Sequence, residues 1–164
     1  MQREQSQSIE GDLLDLAEQG HFDVIVHGCN CFHTMRSGIA GQITQRYPEV
    51  IEADRKTPYG ARAKLGTIST ATISRNGREF VIVNAYTQHR YGRNGVFAEV
   101  PAIASAFQEV AARFPGKRIG YPRVGAGLAG GDWNEILPVI QKALEGQDAT
   151  LVEFVPAPRF SPRP

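Results

Sequence analysis

Phe22-Asp23-Val24-Ile25-Val26-His27-Gly28-Cys29-Asn30 is the stretch on which the fold turns. Residues 22 to 27 form a compact apolar run closed by a glycine, the pattern of a buried strand bounded by turn residues. Upstream, residues 4 to 9 read as a short edge strand leading into Gly11-Asp12, and a helix over 13 to 19 stops at Gly20. Downstream, Asn30 to Ser37 has no period and reads as a loop. A helix then starts at Gly38 and runs through Ile39, Ala40, Ile43 and Tyr47, with Pro48 opening a further helical segment through Val50, Ile51 and Ala53.

The same alternation continues. Leu65 to Ile73 and Glu79 to Tyr86 read as strands, and Asn76-Gly77 between them is a strong hairpin signal. Residues 87 to 97 form a polar, glycine-marked loop. A helix over 98 to 113 carries Ile103, Ala106, Phe107 and Val110 at helical spacing, with Pro101 in its first turn. Arg118 to Tyr121 is a short strand, Gly125 to Gly131 a glycine loop, and Asp132 an N-cap with Glu135 completing a capping box. The helix that follows carries Ile136, Val139, Ile140 and Leu144 and ends at Gly146, before a last strand over Leu151 to Val155. Strands alternating with helices, with one hairpin, predict an α/β fold of three layers: a mixed central sheet with helices on both faces. No repeat or linker divides the chain, so residues 1–155 are expected to form one domain, with a frayed proline-rich tail over 156–164.

Composition narrows the function classes. The 164 residues are 41% hydrophobic and 21% charged, as in an ordinary soluble domain. A net charge of +1 excludes a bulk basic field for nucleic acid and leaves a local patch open. No apolar run approaches the ~18 residues of a membrane span, and the polar start MQREQSQSIEGD lacks the apolar core of a secretory signal. Cys29 and Cys31 read as free thiols suited to a reducing compartment, so a cytoplasmic protein is expected.

Two short glycine-bearing segments stand between a predicted strand and a predicted helix: Arg36-Ser37-Gly38-Ile39-Ala40 and Gly125-Ala126-Gly127-Leu128-Ala129-Gly130-Gly131. Small residues there let main-chain N–H groups approach an anion, and the positive end of the next helix adds attraction. Facing each other, they could grip a diphosphate. The bland alternative is a pair of ordinary βα turns. Neither a P-loop nor a GxGxxG fingerprint is present. His27-x-Cys29-x-Cys31-x-His33 invites a zinc reading, but in an extended segment its outer ligands would lie ~20 Å apart, and tetrahedral zinc needs all four at one point. No metal and no cofactor are expected. His27, ending a buried strand beside the first loop, is expected to face the ligand as acid, base or nucleophile, or else simply to bond the neighbouring loop. Asp12 suits either an exocyclic amine of a ligand or the N-cap of the helix over 13 to 19.

These segments together resemble the macro domain family. Gly11-Asp12-Leu13, Asp23 to Asn30, Ser37-Gly38-Ile39-Ala40-Gly41 and Pro122-Arg123-Val124-Gly125-Ala126-Gly127-Leu128-Ala129-Gly130 match it in order and spacing over about residues 8 to 155. The resemblance is strongest to the branch of ADP-ribose 1″-phosphate phosphatases and ADP-ribosyl hydrolases. It implies that Asp12 meets the adenine amine, with Leu13 beside the adenine and Phe154 near its face. It also implies that Asn30 contacts the distal ribose. By the same likeness Ser37, Gly38, Ile39 and Ala40 form the first diphosphate loop, and Gly125, Ala126, Gly127, Leu128 and Ala129 the second. His27 matches a histidine implicated in phosphate removal.

The chain departs from the family pattern where Arg36 and Ser37 replace two glycines of the first loop; Arg36 could add a charge-assisted contact to a terminal phosphate or simply face solvent. Ala40 stands where many hydrolases of the family carry an aspartate. Ala129 stands where another branch carries one, and no lysine is evident near Tyr86 along the sequence. The leading expectation is hydrolysis of ADP-ribose 1″-phosphate by a monomer. The alternatives are release of ADP-ribose from a modified protein or nucleic acid, and binding of ADP-ribose without turnover.

Overall fold

The computed structural model describes residues 7–92, 94–127 and 129–156. The tail expected over 156–164 and Leu128 of the second loop therefore lie, apart from Pro156, outside the described residues. Six strands among the described residues form one sheet: β1 (Gln7–Gly11), β2 (Val24–Cys29), β3 (Ile68–Arg75), β4 (Arg78–Tyr86), β5 (Arg118–Tyr121) and β6 (Asp148–Phe154). Their order is β1-β6-β5-β2-β4-β3. Only the β3–β4 pair is antiparallel, so the carboxyl ends of the five strands other than β3 share one edge. The hairpin turns at Asn76-Gly77, both at positive φ (53° and 76°), as a two-residue turn matching strand twist requires.

Among the described residues five α-helices cover the sheet: α1 (Leu13–Glu18), α2 (Gly38–Arg46), α3 (Pro48–Arg55), α4 (Val100–Arg113) and α5 (Trp133–Ala143). α1 begins where the Asp12 carboxylate accepts hydrogen bonds from the N–H groups of Leu14 and Asp15 at 3.0 and 3.1 Å. α5 begins the same way, at Asp132. Tyr47 separates α2 from α3 because Pro48 has no N–H to continue the first helix.

Two apolar cores result. One packs Ile25, Phe80, Ile82 and Tyr86 under α1, α2 and α3. The other packs Val24, Val26, Val83 and Ala85 under α4 and α5, with Phe107, Ile136 and Ile140. Each large side chain removed from water adds about 1.5–3 kcal/mol. The strand read over Leu65 to Ile73 starts later, at Ile68. Residues 62–64 instead make a 3-10 turn that buries Lys64, and its 5% exposure has no counterpart in the apolar periodicity. β6 starts at Asp148, three residues before the stretch read as a strand, because its first residues pair with β5. No helix among the described residues is long and apolar enough to cross a membrane.

Candidate ligand-binding crevice

A crevice of about 650 Å³ opens at the carboxyl ends of β2, β4 and β5, the edge where open α/β sheets bind ligands. Its floor is Gly28 and Cys29 from β2, Asn30 just after it, Thr87 just after β4, and Val124 after β5. Its walls are the two loops read from the sequence. Arg36, Ser37, Gly38, Ile39 and Ala40 form one; Gly125, Gly127 and Ala129 line the other.

The first wall is an uncapped helix start. Ser37 is extended and its hydroxyl makes no cap bond, so the first N–H groups of α2 are left for an anion. Thr44 fastens this turn from below, donating to the carbonyls of Met35 (2.8 Å) and Ala40 (3.0 Å). Arg36 is exposed at the rim and makes no ion pair among the described residues. The second wall closes on itself: Gly131 N–H donates to Gly125 O at 2.8 Å and Gly130 N–H to Gly127 O at 3.0 Å. The N–H groups of Phe97 and Ala98 bind Ala129 O at 2.7 and 3.2 Å, tying this wall to the loop after β4. That loop supplies Gln88, Tyr91 and Gly92 to the crevice.

Asn30 shapes the floor. Its carbonyl accepts from Phe32 N–H (2.8 Å) and Thr34 Oγ1 (3.1 Å), and its amide donates to Thr34 O (3.0 Å). Gly28 must be glycine because a Cβ there would lie 2.8 Å from Thr87 Oγ1 and 3.1 Å from a Val124 methyl. Thr87 is 1% exposed, and its Oγ1 is the one buried side-chain polar atom without a partner among the described residues. A hydroxyl in that state is unusual, and here it sits in the floor of the crevice.

His27 does not face the crevice, contrary to the expectation from sequence. The β2–β4 register sets it opposite Asn84, on the face turned to α3, and it is 1% exposed. Its Nε2 lies 2.6 Å from Asn84 Oδ1. The Asn84 amide donates to Ser69 Oγ (3.1 Å) and Val50 O (3.3 Å), so Oδ1 accepts and Nε2–H donates. Burial pushes the His27 pKa below the usual imidazole value, against the Asn84 bond and the charge of Asp54. Burial likewise pushes the Cys29 thiol well up. The neighbouring thiol and histidine go elsewhere: Cys31 Sγ to Gln88 O at 3.6 Å and His33 Nε2 to Thr57 O at 2.9 Å.

The remaining expected residues fall outside the crevice lining. Leu13 is a core residue at 4% exposure, and Ala126 is half-buried and does not line the crevice. Asp12 stands with one oxygen committed to the α1 cap. Phe154 is 61% exposed at the end of β6, paired across to Gly11. Between this end and the crevice lies Arg123, a lining residue whose role was not read from the sequence. It holds Glu153 of β6 through two parallel bonds, Nε–Oε2 at 2.8 Å and Nη2–Oε1 at 2.9 Å.

No family model matches the chain. It is 33% identical over 150 residues to an uncharacterized 17.5 kDa protein of Enterobacteria phage T4, spanning 90% of this chain and 96% of that one. Among solved structures, a protein from Bacteroides thetaiotaomicron superposes with a TM-score of 0.74 at 22% identity, covering 91% and 99% of the two chains. The macrodomain of Mycobacterium tuberculosis DarG gives 0.70 at 20% identity over 93% and 100%. Thermosipho africanus DarTG in complex with ADP-ribose gives 0.61 at 16% identity, over 87% of this chain and 40% of that one. This chain therefore belongs to one family with the phage T4 protein, and its fold is that of the macro domains.

Proposed function

We propose that the crevice binds ADP-ribose or a derivative of it, with the diphosphate held between the two loops. The observation that carries this reading is the pairing of an uncapped helix start with a facing glycine loop across a cavity of about 650 Å³. Main-chain donors and a helix dipole suit a diphosphate, and the volume suits a nucleotide-sized ligand. One fold relative was solved with ADP-ribose bound, which supports the choice of ligand. In this pose the nucleotide end lies toward Asp12 and Phe154, and the distal ribose toward Asn30 and the loop after β4.

Arg36 favours a second, finer reading, hydrolysis of ADP-ribose 1″-phosphate. It is an exposed cation at the rim of the crevice with no ion-pair partner among the described residues, and a guanidinium of that kind suits a terminal phosphate. In that reactive pose main-chain N–H groups and Arg36 stabilise the charge on the phosphoryl oxygens. His27 supports the floor through Asn84 and Cys29 rather than touching phosphorus.

Titration calorimetry and thermal shift with ADP-ribose, its 1″-phosphate, AMP and NAD test the binding reading. ADP-ribose and its 1″-phosphate are expected to bind and raise the melting temperature. No heat and no shift with either would overturn it. Phosphate release from the 1″-phosphate tests the second reading. Turnover that survives His27→Ala and falls in Arg36→Ala is expected. Absence of turnover by the wild type leaves a binding module.

A further inference from the structure

Arg123 carries a feature that the diphosphate grip does not use. Its guanidinium is fixed on two sides. Glu153 holds the Nε/Nη2 edge in a bidentate pair, and the Trp133 ring lies under the guanidinium carbon at 5.6 Å. The residue still lines the crevice. It bridges β5 to β6, so it stands where the crevice meets the end marked by Phe154 and Asp12. A guanidinium already neutralised by a carboxylate is a poor anion receptor. Its plane, however, is rigid and weakly hydrated, and such planes stack on aromatic rings.

We infer that Arg123 is the platform on which the base of the nucleotide stacks, held flat by Glu153 and backed by Trp133. This inference rests on the crevice reading above and adds a selectivity element to it: the site discriminates ligands with an aromatic base from those without one. Phe154 would then offer an apolar edge to the same base, and the free Asp12 oxygen its hydrogen-bond acceptor. Because stacking acts through the face of the guanidinium, lysine cannot replace it. A lysine keeps the charge and loses the plane.

The test compares two ligands on three proteins by calorimetry. The ligands are ADP-ribose and the same diphosphate carrying a ribose at each end and no base. The proteins are wild type, Arg123→Ala and Arg123→Lys, each checked for an unchanged melting temperature. Both variants are expected to lose about tenfold in affinity for ADP-ribose and to bind the base-free diphosphate as the wild type does. Trp133 is the one tryptophan of the chain. Its fluorescence is expected to change with ADP-ribose and stay unchanged with the base-free ligand. Equal losses for both ligands, or restoration by Arg123→Lys, would make Arg123 a phosphate contact and overturn the inference. A wild type that binds both ligands equally would overturn it too and leave the crevice reading standing. A wild type that binds neither would remove both.

Discussion

On one face of the sheet the side chains of β2 and β4 read Val24, Val26, Gly28 and Val81, Val83, Ala85. On the other they read Ile25, His27, Cys29 and Phe80, Ile82, Asn84, Tyr86. The first face is dry. The second is threaded by a buried polar chain: strand register aligns His27, Asn84 and Ser69 across three strands, and their side chains bond in that order. From Ser69 the chain continues through Tyr86 (2.8 Å) to Asp54 (2.7 Å), with Lys64 over the Tyr86 ring and bonded to Thr57. Both faces end at the same crevice. The difference shows that its floor is supported by close packing on one side and by a hydrogen-bonded network on the other. Packing tolerates exchange of like for like, whereas a network fails wherever one member is lost.

The largest effect is expected from breaking the network at its charged end. Asp54 is 2% exposed and accepts the Tyr86 hydroxyl. Its charge also opposes the desolvation that lowers the pKa of buried Lys64. Asp54→Ala is expected to destabilise the fold by about 3 kcal/mol or more, read by urea unfolding. A loss below about 1 kcal/mol would mean that the network carries no more than an ordinary surface contact. The converse experiment writes a polar atom into the dry face. Val83→Thr conserves volume and adds a hydroxyl with no bonding row to join, for an expected loss of about 1–3 kcal/mol.

Acid separates the faces further. Burial holds the folded-state pKa of His27 below its unfolded value. Below about pH 6.5 the unfolded chain takes up a proton there that the fold refuses, so stability falls as pH drops and is retained above that range. This single group accounts for at most about 1.4 kcal/mol per pH unit. His27→Gln keeps a donor toward Asn84 and removes the titration. Its melting temperature is expected to fall less than that of the wild type between pH 7.5 and pH 5. Parallel pH profiles would show that His27 contributes nothing to acid sensitivity.

The sequence made the sheet and both loops legible because they rest on local signals: apolar runs closed by glycine, Asn76-Gly77, an aspartate before each of two helices. It did not reveal the sidedness of His27. Alternation puts His27 and Cys29 on one face and Val26 and Gly28 on the other, but which face adjoins the ligand depends on which helices cover it, and that is decided by tertiary packing. Arg123 and Glu153 lie 30 residues apart, joined only by the β5–β6 pairing. Lys64 carries no local signal for burial; its site is made by Thr57, Asp54 and Tyr86, which come from other segments.

The smallest expected effect has the opposite sign. Thr87 continues the row Val81, Val83, Ala85, so it is the polar residue at the crevice end of the dry face, and its Oγ1 is buried with no partner among the described residues. A buried hydroxyl without a hydrogen bond opposes folding, so Thr87→Val, close in volume, is expected to stabilise the free protein by up to about 1 kcal/mol. Thr87→Ser, which keeps the hydroxyl, is expected to show no such gain. If the hydroxyl is retained for the ligand, Thr87→Val also weakens ADP-ribose binding severalfold while Thr87→Ser does not, the usual exchange of stability for function at a site. A less stable Thr87→Val would show that Oγ1 already holds a partner in solution. The dry face would then be dry only as far as Ala85, and the floor of the crevice would belong to the network on both sides.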